Sequence, residues 1–140
     1  DLHISLHSFP TRRSSDLLRS RLLDDANVAG EVGTQVAWSL APQKWKPPFI
    51  VVSLISDVWD QHFKGFQALR SSRVQVDCYG LDRASTVTIR EFALAAIADG
   101  GTFDGIRFDR IADVSVRDLG ANTDTGFVHR DSIDALIWHE

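Results

Sequence analysis

The chain has 140 residues, 44% of them hydrophobic and 24% charged, the size of one globular domain that buries roughly two-thirds of the surface its unfolded form exposes. Fifteen Lys and Arg against nineteen Asp and Glu give a net charge of −4, so no overall basic field exists to hold nucleic acid or an acidic membrane. The lone cysteine, Cys78, excludes a disulfide framework within the chain and a multi-cysteine zinc site, and fits a reducing compartment. The longest apolar stretch, Phe49 to Ile55, is far short of the roughly 20 residues of a membrane-spanning helix, so no membrane partner is expected.

In chain order, the first residues stand apart. The run Ser8-Phe9-Pro10-Thr11-Arg12-Arg13-Ser14-Ser15-Asp16-Leu17 matches, residue for residue, the conceptual translation of a common short-read sequencing adapter. Residues 1–17 are therefore expected to be an adapter-derived artefact, disordered, with the native start lost and the domain running over 18–140. Leu18, Leu22, Leu23 and Ala26 recur at helical spacing and predict a short helix ended by Gly30 and Gly33. Thr34 to Leu40 looks extended, and Lys44-Trp45-Lys46-Pro47-Pro48 is a loop, because consecutive prolines lack amide donors and push their predecessors out of helical conformation.

Phe49 to Ile55 is apolar at both alternating sets of positions and predicts a central strand covered on both sides. Asp57 to Gly65 reads as a protruding loop, and Arg73 to Tyr79 alternates Val74, Val76 and Cys78 with Gln75, Asp77 and Tyr79 as a half-buried strand. Asp82 can cap a helix in which Ile89, Phe92, Ala93, Ala96 and Ile97 share a face, closed by Gly100-Gly101. Ile106 to Arg117 alternates as one long strand, Leu119 to Gly126 is a turn, and Phe127 to Trp138 is a final strand with a change of face near Ser132. The expected fold is α+β: a mainly antiparallel sheet of four to five strands packed with two helices, in the order helix, three strands, helix, two strands. Its core is expected in Phe49, Val51, Ile55, Val74, Val76, Val114 and Val116, with Phe92 and Ile97 of the helix packed on them.

Reactive constellations are few. His62, His129 and His139 have none of the spacings that put two imidazoles on one metal. Cys78 points with Val74 and Val76 into an apolar face, which suits a neutral thiol. Gly100-Gly101 is not followed by the Lys-Ser or Lys-Thr of a phosphate loop. Asp57, Asp60, Asp77, Asp109 and Asp113 are the carboxylates from which a metal-dependent hydrolase would draw, although most sit where an acid is simply solvated. Trp45 between Lys44 and Lys46 is too small a basic cluster for a nucleic-acid site. No catalytic, cofactor-binding or metal-binding residue is assigned.

Several ordered segments together resemble the phage tail completion, or tail terminator, proteins. These are the leucine-rich first helix, the Ala41-Pro42-Gln43 segment, the strand Pro47-Pro48-Phe49-Ile50-Val51-Val52, the strand Arg73 to Gly80 followed by an Asp-started helix, and the end Leu136-Ile137-Trp138-His139. The resemblance implies a structural, non-enzymatic role at the head-proximal end of a siphophage or prophage tail. It implies a ring, typically of six copies, that caps the tail tube, meets the major tail protein and the head–tail connector, and lets DNA through only as cargo. Another class of head–tail adaptor and a small metal-dependent hydrolase are the rival readings. The aromatic residues Trp59, Phe63 and Phe66 depart from the family pattern. With Trp45 they are the candidate interaction residues, because long loops in compact domains tend to be functional and large aromatics anchor interfaces.

Overall fold

Asp25 decides how the N-terminal half begins. In the computed structural model, which describes residues 18–59, 70–98, 101–103, 106–108, 111–124 and 126–139, residues 18–24 are helical (α1). Asp25 then leaves the helix at φ −79° and ψ 123° and accepts from the amides of Asn27 and Val28. That side chain caps a second helix, α2 (Ala26–Val32), which Gly33 closes at φ 63° with its N–H donating to the Ala29 carbonyl. The single helix expected here is thus two, because the short Asp carboxylate competes with helix continuation.

The remaining elements are β1 (Val36–Trp38), β2 (Phe49–Trp59), β3 (Arg70–Gly80), α3 (Arg83–Ala98), β4 (Gly101–Phe103), β5 (Ile106–Phe108), β6 (Ala112–Asp118), β7 (Ala121–Thr123) and β8 (Gly126–His139). The sheet runs β1-β2-β3-β8-β5-β4, with β6 and β7 also paired to β8. Only β1 and β2 are parallel among the described pairs; the others are antiparallel. The α+β expectation holds in a larger form: the described residues carry three helices and a mixed sheet of six strands in sequence, with two more on β8.

Period-two alternation builds the core. Ile50 and Val52 on β2 stand opposite Cys78 and Val76 on β3, and Val76 and Val74 stand opposite Ile133 and Ala135 on β8. All are buried under the helices, where Leu18 and Leu22 of α1, Val28 and Val32 of α2, and Ile89, Ala93 and Ile97 of α3 complete one cluster. Each fully buried Val, Leu or Ile contributes about 1.5–3 kcal/mol. Phe92 packs at the rim, half-buried. The turn from β3 into α3 is tight: a Cβ at Gly80 would lie 2.7 Å from the Thr86 nitrogen, so only glycine fits. Asp82 caps α3 as expected, accepting from the Ser85 amide at 2.8 Å, and this hydrogen bond holds its carboxyl below the usual range.

Several expectations are corrected. Ile55 is 53% exposed, because Ile50, Val52 and Leu54 are the alternating set of β2 that faces the helices, so Phe49, Val51 and Ile55 lie on the other face. The register with β3 also shifts beside it, with Leu54 opposite Val74 but Ser56 opposite Arg73. Past this shift β2 continues to Trp59, so Asp57, Val58 and Trp59 are strand residues opposite Ser72, Ser71 and Arg70 and do not belong to a loop. Val114 and Val116 are exposed at 42% and 38%, since no described element covers β6 on the helix side. The long strand expected over 106–117 is broken into β5 and β6, and Gly101 opens the β4–β5 hairpin. The turn expected over 119–126 contains β7, paired back onto β8. In β8, Asp131, Ile133, Ala135 and Ile137 are buried in unbroken alternation, so the strand does not change face at Ser132. The expectation for residues 1–17 lies outside the described residues.

Candidate interaction surface

The helices cover one face of the sheet, and among the described residues its other face is open except beneath the segment from Ser39 to Ala41. Three cross-strand rows line it: Phe49, Tyr79 and Arg130; Val51, Asp77 and Ser132; Ser53, Gln75 and Asp134. The first row is a stack. The rings of Phe49 and Tyr79 lie 4.5 Å apart at 21°, and the Arg130 guanidinium sits 5.7 Å from the centre of the Tyr79 ring. Burial pushes the Tyr79 hydroxyl above its ordinary pKa, with Arg130 opposing and Asp77 assisting. In the second row the nearly buried Asp77 takes an ion pair from Arg130 at 3.1 Å and a hydrogen bond from the Gln75 amide at 3.0 Å.

Above these rows the segment from Ser39 to Ala41 overhangs a hollow of about 320 Å³ walled by Phe49, Val51, Tyr79 and Arg130. The loop beyond it is tied down by the Gln35 side chain, which donates to the carbonyls of Lys46 at 3.1 Å and Pro48 at 2.8 Å. Leu40 stands 82% exposed at the rim. Beneath the surface, the Arg130 Nε, the Ser132 Oγ and one Asp134 oxygen are buried without a hydrogen-bond partner among the described residues, an uncommon condition for buried polar atoms. The face therefore combines aromatic area, an exposed leucine and unsatisfied polar groups. A partner surface supplies apolar cover and hydrogen bonds to such a face.

On the covered face, Asp131 is fully buried and joins β8 to α3. Its carboxylate accepts from Arg90 Nη1 at 2.9 Å and from Arg83 Nη1, and Arg83 also reaches Asp118 of β6 at 3.7 Å. Cys78, on the same side of the sheet, has its thiol pushed far up by burial first and by Asp77 and Asp131 next, so it stays protonated.

The structure separates the four candidate interaction residues. Trp45 is half-buried and tilted against Phe49 at 6.1 Å, so it belongs to the open face. Trp59 ends β2 opposite Arg70, and Phe63 and Phe66 lie outside the described residues. Of the five carboxylates, Asp77 is engaged by Arg130, Asp113 lies 3.9 Å from Arg73, Asp57 occupies a strand position opposite Ser72, and Asp60 and Asp109 lie outside the described residues. Among the described residues no group of three His, Cys, Asp or Glu side chains comes together. His129 packs at 4.7 Å against Phe127, His139 ends β8 opposite Arg70, and His62 is outside the described residues. Sequence reasoning missed Tyr79, Arg130 and Leu40. The polar half of the Arg73 to Tyr79 alternation was the signal that a second face existed.

No protein-family model matches the chain, and no curated protein matches it. Among solved structures it is similar to a chain of the structure described as "Virion of native gene transfer agent (GTA) particle", with a TM-score of 0.57 at 16% identity over 90% of this chain and 94% of that one. At that identity the likeness shows a shared fold, nearly end to end. A second solved chain covers 89% of this one at 15% identity and a TM-score of 0.48, too distant to add to the argument.

Proposed function

We propose that the chain is a non-enzymatic structural protein of a phage-type particle, a tail completion protein that caps the tail tube as a homo-oligomeric ring and takes part in joining tail to head. The observation that carries the reading is the fold shared over nearly the whole length with a chain from a gene transfer agent virion, a relation that agrees with the segment-by-segment resemblance to tail completion proteins. The open face supports it: aromatic stacking, the exposed Leu40 and buried polar atoms without a described partner suit a surface that other subunits cover. The net charge of −4 suits a ring through which DNA passes without being held.

In this reading Trp45 and the segment carrying Trp59, Phe63 and Phe66 contact a neighbouring subunit or the tail tube, and the head–tail connector meets the ring's other side. The test replaces Trp59 and Phe63 together by Ala. The expected variant keeps its far-UV circular dichroism but loses ring formation in electron micrographs and tail capping in an assembly assay. Rings and capping at the unsubstituted level would refute the assignment of these residues.

A further inference from the structure

An exposed aromatic knob and the hollow of the candidate surface lie on opposite faces of the sheet. The β7–β8 hairpin runs past the end of β3: Gly80 stands opposite His129, and the pairs of Ala121 with Val128, Asn122 with Phe127 and Thr123 with Gly126 all lie beyond it. The hairpin is locally braced, since the Thr123 hydroxyl donates to the Gly126 carbonyl at 2.7 Å and the Asp118 carboxylate accepts from the Gly120 amide at 2.9 Å. Phe127 stands on it 51% exposed, backed by His129 at 4.7 Å. In the alternation of β8, Phe127 belongs with Asp131 and Ile133, the set on the helix side. The hollow under Ser39 to Ala41 opens on the other side, between Phe49, Tyr79 and Arg130. A chain therefore does not turn its own Phe127 into its own hollow.

The two sites also differ in charge. Residues 32–56, which supply the rim of the hollow, contain no Asp or Glu and carry the exposed Lys44 and Lys46. Asp77, the carboxylate in the hollow's wall, is held by Arg130 at 3.1 Å. Residues 118–128 contain Asp118 and Asp124 and no Lys or Arg, and Asp124 is exposed in the hairpin turn.

We infer that the hairpin of one copy docks in the hollow of the next, with Phe127 against the Phe49 and Tyr79 rings beneath Leu40, and Asp124 beside Lys44 and Lys46. An aromatic anchor seated in a pocket carries the affinity of such a contact, and the opposite charges set its register. Because knob and hollow lie on opposite faces, each copy gives one contact and takes another, as a closed ring of identical chains requires. The inference rests on the ring reading and supplies its subunit contact.

The test follows ring formation of the full chain by light scattering over a range of protein concentrations, with far-UV circular dichroism to confirm folding. Phe127→Ser should abolish rings, whereas Leu81→Ser, which removes another exposed apolar residue (70% exposed) outside the contact, should leave them. Asp124→Lys should raise the concentration at half-assembly about tenfold, the scale of one rim charge reversed against two lysines. Adding Lys44→Asp and Lys46→Asp to the same chain should bring it back. If Phe127→Ser unfolds the chain, the loss and recovery on charge exchange still decide. Rings that ignore Asp124→Lys, a charge-exchanged chain no better than Asp124→Lys alone, or equal losses in Phe127→Ser and Leu81→Ser would overturn the contact and leave the ring reading intact. An unsubstituted protein that stays monomeric at every concentration would overturn both.

Discussion

Replacing Asp131 by Asn tests how the helical layer is fastened to the sheet. The carboxylate has no solvent exposure and lies between Arg90, whose side chain is 19% exposed, and Arg83, 49% exposed. Removing one member of a buried ion pair costs about 3–5 kcal/mol when the remaining charge stays buried. Arg83 is half in water and regains solvation, so most of the loss falls on Arg90, and a discounted figure of about 2–3 kcal/mol follows. Against a total of roughly 5–15 kcal/mol this is a large fraction, and it corresponds to a fall in Tm of about 6–12 °C for a domain of this size. Urea titration and thermal melting followed by circular dichroism measure it. Asp134→Asn is the control, because that residue is 22% exposed and its arginines, Arg73 and Arg117, stand 3.8 and 3.9 Å away; its cost should stay below about 1 kcal/mol. If Asp131→Asn lies within about 0.5 kcal/mol of the unsubstituted protein, or if the two variants lose equally, the clamp is not what holds α3 to β8.

Val76→Asp should abolish soluble folding, since Val76 is fully buried in the middle of the sheet and an unpaired buried carboxylate costs several kcal/mol; a normally folded variant would refute the strand assignment. The Cys78 thiol should resist a thiol reagent in the native state and react at once in denaturant. Because folding raises its pKa, its contribution to stability is complete below the ordinary thiol pKa near 8.5 and is lost as pH rises beyond it. Urea midpoints that do not fall between pH 8 and 10 would contradict this. Deleting residues 1–17 should change stability by less than about 1 kcal/mol, and a larger loss in a urea titration would show that the segment packs on the domain.

Legibility in the sequence followed the range of the interaction. The alternation of Val74, Val76 and Cys78 and the helical spacing of Ile89, Ala93 and Ile97 are local periodicities, and both sets are buried where the pattern puts them. Which alternating set of the run from Phe49 to Ile55 faces the helices was not legible, because both sets are apolar; the structure turns Ile50, Val52 and Leu54 inward and Ile55 outward. Val114 and Val116 alternate as a strand should, yet their burial depends on what lies over β6, which no local pattern records. The Asp131 clamp draws its arginines from 48 and 41 residues away, and the stack of Phe49, Tyr79 and Arg130 forms only once β2, β3 and β8 lie side by side. The stack is what makes the candidate surface, so the sequence showed a second sheet face without showing its chemistry.

The central claim is that the chain ends tail growth, and tail length measures this most directly. Particles assembled in cells with the gene intact and with it inactivated would be compared by electron microscopy. The account predicts tails of uniform length joined to heads when the protein is present, and unjoined tubes of irregular length when it is absent, with uniform length restored by supplying the chain from a plasmid. Joined particles with uniform tails in the absence of the protein would contradict it.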